Sequence, residues 1–171
     1  GLCIGGTAWC FCNRLLTDQE GTEKLDYLFI DEAGQVPTAN LIGMSRSSKN
    51  IILMGDQMQL GHPTQGSHPG EIGRSVLEYL LEDNATIAPD LGIFLPKSYR
   101  MHPDLCELIS NQVYDGRLNS AARTSRHVID LPKNTIPKTA GIHFLPVEHE
   151  GNTQGSAEEV ATISRLVEDL L

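Results

Sequence analysis

The sequence predicts an α/β fold with a mostly parallel sheet and crossover helices, and three observations lead to this prediction. Its apolar runs are short and continuous, and each ends in a polar residue or a glycine. Buried strands of parallel sheets have this pattern, whereas half-exposed strands alternate. Segments with helical spacing of apolar residues separate the runs. The alternation indicates βαβ units.

Four runs are predicted as strands, in chain order. They are "LCIGGT" at residues 2–7, "LDYLFIDE" at residues 25–32, "NIILMGD" from Asn50 to Asp56, and a strand within "GIFLPKSYR" at residues 92–100. The second run is the strongest, because its apolar residues lead directly into two carboxylates.

Four helices are predicted around these strands. The first covers Pro37 to Arg46, with Pro37 at the first helical position. The next two lie in "RSVLEYLLED" at residues 74–83 and in "HPDLCELISNQVY" at residues 102–114. The stretches at residues 61–73 and 119–141 are rich in turn-forming residues and are predicted to be loops, the second one mostly irregular.

The last predicted helix, Ser156 to Leu171, has the clearest pattern. Ser156 and Glu159 have the spacing of a capping box. An apolar stripe follows, made of Val160, Ile163, Leu166, Val167 and Leu170.

Composition limits the classes of function. The chain has 171 residues and a formal net charge of -9, which argues against binding nucleic acid by bulk charge and leaves room for local contacts. No apolar run approaches the ~20 residues needed to cross a bilayer, and no signal peptide is recognisable. We therefore expect a cytoplasmic protein without membrane association. The start "GLCIGGTAW", apolar and without Met, is typical of a piece of a longer polypeptide.

The cysteines and histidines do not form a recognisable metal site. Cys10 and Cys12 make a lone C-x-C pair that cannot complete a tetrahedral shell, so reduced thiols are favoured. His62 and His68 lie in a Gly/Pro loop with no carboxylate between them. Trp9 is a base-stacking candidate, although a lone tryptophan is more often part of a core or an interface.

Two adjacent carboxylates, Asp31 and Glu32, follow the strongest predicted strand. Ligands of open α/β sheets bind beyond the carboxyl ends of the strands. One carboxylate there is suited to holding Mg²⁺ through water, and the next to polarising an attacking water. A solvated acidic turn is the alternative interpretation, and it would be preferred if the pair stood alone.

Two further segments have matching positions. The next strand ends in "MGDQMQL", which puts Asp56 and Gln59 at the same predicted sheet edge, and a neutral Gln can donate to a phosphate oxygen without competing for the metal. In "LPKSYRMHPDL", Arg100 precedes a helix and is suited to stabilising charge on a transferred phosphoryl group. Tyr99 beside it is suited to stacking on a base.

Taken together, these segments resemble the superfamily 1 helicases of the up-frameshift type. "FIDEAGQV" resembles the family's motif II (the Walker B element), "LMGDQMQL" its motif III, and "SYRMHP" its motif IV. "GGTA" is similar to the short motif before Walker B, and "NTQGSAEEV" to the stretch between motifs IV and V. The segment "HPTQGSHPGE" is similar to a bacterial subgroup in which a RecB-type nuclease is fused to the helicase.

The resemblance implies a role for each matching residue. Asp31 would hold Mg²⁺ through water, and Glu32 would be the general base. Gln59 would sense the γ-phosphate with support from Asp56, and Arg100 would be an arginine finger. The other implied contacts are Glu159 near the nucleotide, and Gly6 and Thr7 on the nucleic-acid backbone.

The resemblance also implies parts of two RecA-like P-loop NTPase lobes. Residues 1–96 would be the C-terminal half of the first lobe and residues 97–171 the N-terminal half of the second. The sequence contains no G-x-x-x-x-G-K-[ST] loop, because the tempting Lys97-Ser98 and Lys138-Thr139 pairs each follow a proline. We expect the isolated chain to be inactive for this reason.

The implied function is ATP- and Mg²⁺-dependent movement on single-stranded nucleic acid, with DNA favoured over RNA. A fused nuclease in the parent protein is a further expectation. Two alternatives stay open: a degenerate, non-catalytic helicase-like module that binds proteins, and a different α/β hydrolase that uses an Asp-Glu pair with Mg²⁺.

Overall fold

The computed structural model describes residues 1–17, 24–61, 68–129 and 140–170. The chain divides into two compact units, Gly1–Ile93 and Phe94–Leu171. Each unit contains a parallel pair of strands together with helices, so the α/β prediction is confirmed. The boundary predicted between residues 96 and 97, and the assignment of each unit to part of a RecA-like lobe, stay predictions.

The first unit is built on a parallel strand pair. β1 (Leu25–Ile30) lies beside β2 (Ser48–Leu53), with Tyr27 opposite Asn50 and Ile30 opposite Leu53. The second and third predicted strands are therefore present. Because the strands are parallel and in this register, their carboxyl ends reach the same edge of the sheet.

Within the described residues, four helices accompany this sheet, two of them only four residues long: α1 (Ala8–Phe11), α2 (Arg14–Thr17), α3 (Thr38–Ser45) and α4 (Val76–Leu81). The buried apolar core of the unit consists of Phe11, Leu28, Ile30, Ala33, Met44, Val76, Leu77 and Leu81. α3 begins one residue later than predicted, because Pro37 is extended and forms an antiparallel bridge with Ser75.

α4 begins with a complete capping box. The Ser75 hydroxyl accepts from the Glu78 amide at 3.2 Å, and the Glu78 carboxylate accepts from the Ser75 amide at 2.7 Å. This reciprocal pairing satisfies two amide donors that a helix start otherwise leaves open.

The second unit contains a very short parallel pair, β3 (Lys97–Ser98) beside β4 (Asn119–Ser120). Its helices are α5 (Pro103–Val113) and α6 (Ala157–Leu170). α5 starts with Pro103 and is capped by the His102 ring, which accepts from the Asp104 amide at 3.2 Å. A 3₁₀ helix, Ala122–Arg126, and β4 lie in the stretch predicted to be mostly irregular, so that prediction was wrong for its described part.

Two strand predictions were wrong in whole or in part. Residues 2–7 form no strand, and Leu2 is 84% exposed. A run of three apolar residues buries little surface and makes no ladder hydrogen bonds when no strand lies beside it. The fourth strand is reduced to Lys97–Ser98. Its predicted apolar part is exposed instead, with Ile93 85% and Leu95 78% accessible.

α6 confirms the last predicted helix and changes its capping. The Ser156 hydroxyl accepts from the Glu159 amide at 3.2 Å, which is one half of the predicted box. The same hydroxyl donates to the Glu158 carboxylate at 3.2 Å and accepts from the Asn152 side-chain amide at 3.1 Å. Among the residues that the structure describes, the stripe on this helix is largely open to solvent, and Val160 is 62% exposed.

None of the described helices combines the length and the hydropathy that a membrane crossing requires. Residues 62–67 of the predicted loop at 61–73, and residues 130–139 of the stretch at 119–141, lie outside the described residues. The C-terminal part of the first loop forms a 3₁₀ turn, Gly70–Gly73.

Candidate active site

Asp31 and Glu32 form the turn at the carboxyl end of β1, and both are exposed. The Asp31 Oδ1 atom accepts from the Glu32 amide at 3.0 Å. Glu32 has a φ of 52°, in the left-handed region, which is uncommon for a residue with a side chain. This turn redirects the chain at the place where the two carboxylates stand in solvent.

The segment after this turn is attached to the end of β2. Ala33–Gln35 form a single 3₁₀ turn in which the Gln35 amide donates to the Glu32 carbonyl at 2.8 Å. The Ala33 amide donates to the Met54 carbonyl at 2.9 Å. Ala33 is completely buried, so this link lies under the carboxylate turn.

Two glycines let the strand-end loops touch through their backbones. A Cβ atom placed on Gly34 would lie 2.3 Å from the Asp56 carbonyl oxygen. A Cβ atom placed on Gly55 would lie 2.6 Å from the Ala33 amide nitrogen. Both distances are shorter than real Cβ contacts, so the close approach requires glycine at each position.

Asp56 organises the second loop and holds Gln59. Its Oδ1 atom accepts from the Met58 amide at 3.0 Å, and its Oδ2 atom accepts from the Gln59 Nε2 at 3.1 Å. Asp56 therefore orients the Gln59 side chain, and the role of this pair at the γ-phosphate stays a prediction. The structure brings the loops of Asp31, Glu32, Asp56 and Gln59 together at one sheet edge.

Gln57 was missed by the sequence reasoning. Its Nε2 atom donates to the Ala85 carbonyl at 2.8 Å and to the Asn84 carbonyl at 3.2 Å. These acceptors lie in the turn after α4, almost thirty residues further along the chain. A polar residue in a polar loop gave no signal of this contact.

The donor set at this edge fits a hydrated magnesium ion. Mg²⁺ prefers carboxylate oxygens, keeps several waters, and is bound through one or two carboxylates together with substrate phosphates. Asp31 is exposed, and its hydrogen bond from the Glu32 amide uses only the Oδ1 atom. Among the described residues no three His, Cys, Asp or Glu side chains are gathered as a protein cage for a metal would need.

In the second unit, Tyr99 and Arg100 lie on a turn that Ser98 stabilises. The Ser98 hydroxyl accepts from the Met101 amide at 3.2 Å and from the Arg100 amide at 3.4 Å. Tyr99 is 58% exposed, and Arg100 is exposed as well. Both side chains are thus presented to solvent immediately before α5.

Two residues from the Ala122–His127 segment hold this turn, and neither was predicted. The Arg123 guanidinium lies 5.1 Å from the centre of the Tyr99 ring, within the range of a cation–π contact. The His127 Nδ1 lies 3.0 Å from the Arg100 carbonyl. A carbonyl only accepts, so this contact requires the proton on Nδ1.

The remaining predicted residues have simpler surroundings. The Glu159 Oε1 lies 3.6 Å from the His149 Nε2 at the start of α6. Thr7 precedes α1, and its carbonyl accepts from the Cys10 amide at 2.9 Å, while Gly6 packs against the Cys10 side chain. Both Gly6 and Thr7 are exposed. Their contact with nucleic acid, like each role assigned above, stays a prediction.

The predicted residues fall into both units. Asp31, Glu32, Asp56 and Gln59 belong to the first unit, and Tyr99, Arg100 and Glu159 belong to the second. The cysteines at positions 3, 10 and 12 are free and exposed, and Cys106 is buried, which raises the pKa of its thiol.

Comparison with known proteins places the chain in a family. A family model described as an AAA domain matches residues 72–171. The DNA replication ATP-dependent helicase/nuclease dna2 of Schizosaccharomyces pombe is 32% identical over 111 residues, which cover 64% of this chain and 8% of that protein. The ATP-dependent helicase upf1 of the same yeast is 30% identical over 113 residues, with 64% and 12% covered.

A third relative covers more of the chain. The regulator of nonsense transcripts 1 homolog of Neurospora crassa is 30% identical over 155 residues, which cover 84% of this chain and 14% of that protein. The chain thus spans between 8 and 14% of the length of these three relatives. With its AAA domain and these similarities, the chain belongs to the superfamily 1 helicases of the up-frameshift type.

Proposed function

We propose that this chain supplies part of the ATP-hydrolysing machinery of a nucleic-acid helicase. One observation carries the proposal: two strand-end loops touch through their backbones at the carboxyl edge of a parallel strand pair and carry Asp31, Glu32, Asp56 and Gln59. Ligands of α/β sheets bind at this edge. The relatives named as ATP-dependent helicases support the same assignment.

The roles follow from the position and chemistry of each side chain. Asp31 would hold Mg²⁺ through water, and the bound ion would neutralise charge on the phosphates. Glu32, free of the metal, would accept a proton from the attacking water. Gln59, oriented by Asp56, would donate a hydrogen bond to the γ-phosphate or to that water.

The second unit would contribute the groups that read the nucleotide and its transition state. Arg100 would stabilise negative charge that develops on the transferred phosphoryl group. Tyr99 would stack on the base with the face that Arg123 does not cover, and Glu159 would lie near the nucleotide.

We further propose single-stranded nucleic acid as the partner, with Gly6 and Thr7 contacting its backbone. DNA is favoured over RNA because of the similarity of "HPTQGSHPGE" to the nuclease-fused subgroup. One relative is named a helicase/nuclease of DNA replication and another a regulator of nonsense transcripts. A fused nuclease domain is part of the same proposal.

The decisive experiment measures nucleic-acid-stimulated ATP hydrolysis by the full-length polypeptide that contains this chain, with Glu32→Gln as the variant. The change keeps the shape of the side chain and removes its proton acceptor. We expect kcat to fall by about 10² to 10⁴-fold, the range of general-base catalysis, while ATP binding is retained.

Glu82→Gln is the matched control. Glu82 is also exposed and also has a φ of 52°, but it follows α4 rather than β1. An unchanged kcat in Glu32→Gln, or an equal loss in Glu82→Gln, would remove Glu32 from the role of general base.

The second candidate function is a non-catalytic helicase-like module that binds proteins. The net charge of -9 and the lack of a G-x-x-x-x-G-K-[ST] loop within these 171 residues favour it. The hydrogen bond that orients Gln59 on Asp56 favours catalysis, because a binding module has no need for it. Absence of nucleic-acid-stimulated ATP hydrolysis in the wild-type full-length polypeptide would favour the module.

A further inference from the structure

Gln57 joins the loop of Asp56 and Gln59 to a distant turn. Its side-chain amide is half-buried and donates to two successive carbonyls, those of Asn84 and Ala85. The neutral amide has two N–H groups, so one nitrogen can serve both acceptors. The contact therefore holds the loop at Gln57, between Asp56 and Gln59, which are hydrogen-bonded to each other.

The turn that Gln57 contacts directly follows α4, and the start of this helix is attached to the other candidate loop. The Val76 amide donates to the Val36 carbonyl at 2.9 Å, and the Thr38 amide donates to the Arg74 carbonyl at 3.2 Å. Val36 follows the 3₁₀ turn that begins after Glu32. One end of α4 is therefore bonded beside the carboxylate turn, and the segment after its other end is bonded by Gln57.

The six residues of α4 thus act as a spacer between the two loops. The capping box fixes the N-terminal end of this short helix, and the bonds from Gln57 hold the turn that follows its C-terminal end. The direct backbone contact of Gly34 with Asp56 fixes one point of the second loop, and Gln57 supplies the next fixed point.

We propose that Gln57 is a positioning residue for nucleotide hydrolysis, which holds Gln59 at the working distance from Glu32 through the turn after α4. This inference rests on the proposed function. It assigns Gln57 no contact with the nucleotide. Its effect is on the geometry of Gln59, for which a displacement of about 1 Å can cost 10²-fold in rate.

The chemistry of the contact allows a selective test. Both partners of Gln57 are carbonyl oxygens, so only a donor is compatible with them. Gln57→Met keeps the length and removes the donor. Gln57→Glu keeps the shape and places carboxylate lone pairs against carbonyl lone pairs, which raises the carboxyl pKa in the variant above the ordinary value of about 4.3.

The experiment uses the full-length polypeptide with Gln57→Met, Gln57→Glu, Glu32→Gln and the control Gln112→Glu, which changes an exposed glutamine in α5. Two quantities are measured: kcat and KM for ATP across pH, and hydrogen exchange of the amides of residues 55–60. We expect about a 10 to 100-fold loss of kcat at neutral pH in both Gln57 variants, with KM changed less.

A pH profile separates positioning from general damage to the fold. The ratio of kcat in Gln57→Glu to that in the wild type should rise as the pH falls, because a protonated carboxyl regains one donor. Gln57→Met should show no such recovery. The Met58 amide is bonded to Asp56 in the wild type. Its hydrogen exchange should be at least tenfold faster in both Gln57 variants and should not change in Gln112→Glu.

The two readouts assign each failure. If the amides of residues 55–60 exchange hydrogen at the wild-type rate in both Gln57 variants, Gln57 does not hold the loop, whatever the values of kcat are. Faster exchange with unchanged kcat, while Glu32→Gln is inactive, would overturn the positioning role and leave the proposed function standing. Wild-type hydrolysis by Glu32→Gln would refute the proposed function, and the role of Gln57 in catalysis would fall with it.

Discussion

At the scale of single residues, the backbone at the end of β1 is unusual. Glu32 adopts a left-handed conformation that costs on the order of 1 kcal/mol or more for a residue with a side chain. The neighbouring Asp31 carboxylate bonds the Glu32 amide and offsets part of this cost. Strained positions that the surrounding structure maintains are frequent at functional sites, and this position is where the general base is proposed.

Gly34 allows the first residue-scale prediction about stability. Gly34→Ala would place a methyl group 2.3 Å from the Asp56 carbonyl oxygen, so one of the two loops must move. We expect the free energy of unfolding to fall by about 1–3 kcal/mol, as for other overpacked sites. Denaturant-induced unfolding of the isolated chain measures this change.

Gly5→Ala is the matched control, because a Cβ atom at Gly5 meets nothing within 4 Å. Equal stability of Gly34→Ala and Gly5→Ala would show that the loops do not pack at this distance in solution. A loss confined to Gly34→Ala supports the backbone contact.

Individual residues also show what the sequence could and could not predict. The position of Asp31 and Glu32 follows from the apolar run before them, which is a local pattern. The partners of Gln57 and Arg123 are 28 and 24 residues away in the chain. Contacts at such a separation depend on how the loops close in three dimensions, and no local spacing encodes them.

At the scale of elements, burial decides which predicted strands exist. β1 and β2 pair with each other, and β1 contributes core residues such as Leu28, so both predictions held. The runs at residues 2–7 and 92–100 are as apolar as β2, yet they have no long strand beside them among the described residues. An apolar run becomes a strand only when its backbone donors find a neighbouring strand.

The α6 start gives a prediction about pH at the same scale. Hydrogen bonds from its own amide, from Asn152 and from Ser156 hold the pKa of Glu158 below its ordinary value of 4.5. Because the pKa of Glu158 is lower in the folded state, its carboxylate stabilises the helix start at pH values above the ordinary pKa of 4.5. This contribution is lost as the pH falls through the lower, folded-state value.

We therefore expect the first turn of α6 to fray in acid, below about pH 4.5. Amide resonances of residues 157–160, followed from neutral to acidic pH, measure the effect. Glu158→Gln should remove most of the pH dependence, while Glu168→Gln, in the last turn of the same helix, should retain it. A wild-type helix start with no response to acid would contradict the prediction.

At the scale of the whole molecule, the division into two units follows a division of chemistry. The first unit carries carboxylates and an amide at one sheet edge, and the second carries an exposed arginine and a tyrosine before α5. The α/β class was predictable from the alternation of patterns along the chain. The apolar stripe of α6 was predictable from the helical spacing of its residues. Its exposure was not predictable, because the spacing of apolar residues does not show which element packs against a helix.

The isolated chain gives the prediction at this scale. The 171 residues contain no glycine-rich loop with a lysine to surround the β-phosphate, so ATP would lose its main source of binding energy. We expect the isolated chain to bind ATP with a Kd weaker than about 1 mM, near 4 kcal/mol of binding free energy, and to hydrolyse it negligibly. Isothermal titration calorimetry and a phosphate-release assay measure both quantities.

Nucleic-acid-stimulated ATP turnover by the isolated chain, abolished by Glu32→Gln, would contradict this expectation while supporting the catalytic role of Glu32. Tight ATP binding without turnover would show that these residues already form a complete phosphate site. The Glu82→Gln variant serves as the control in both measurements.

The contact between Gly34 and Asp56 also bears on how such a protein can vary during evolution. Its atoms belong to the main chain, so a small displacement of one loop would reach the other without passing through any replaceable side chain. Such backbone coupling between the loops tolerates substitutions at neighbouring positions, provided that Gly34 and Gly55 are kept. Homologues with different residues at positions 58 and 60 would then share one coupling between the two loops.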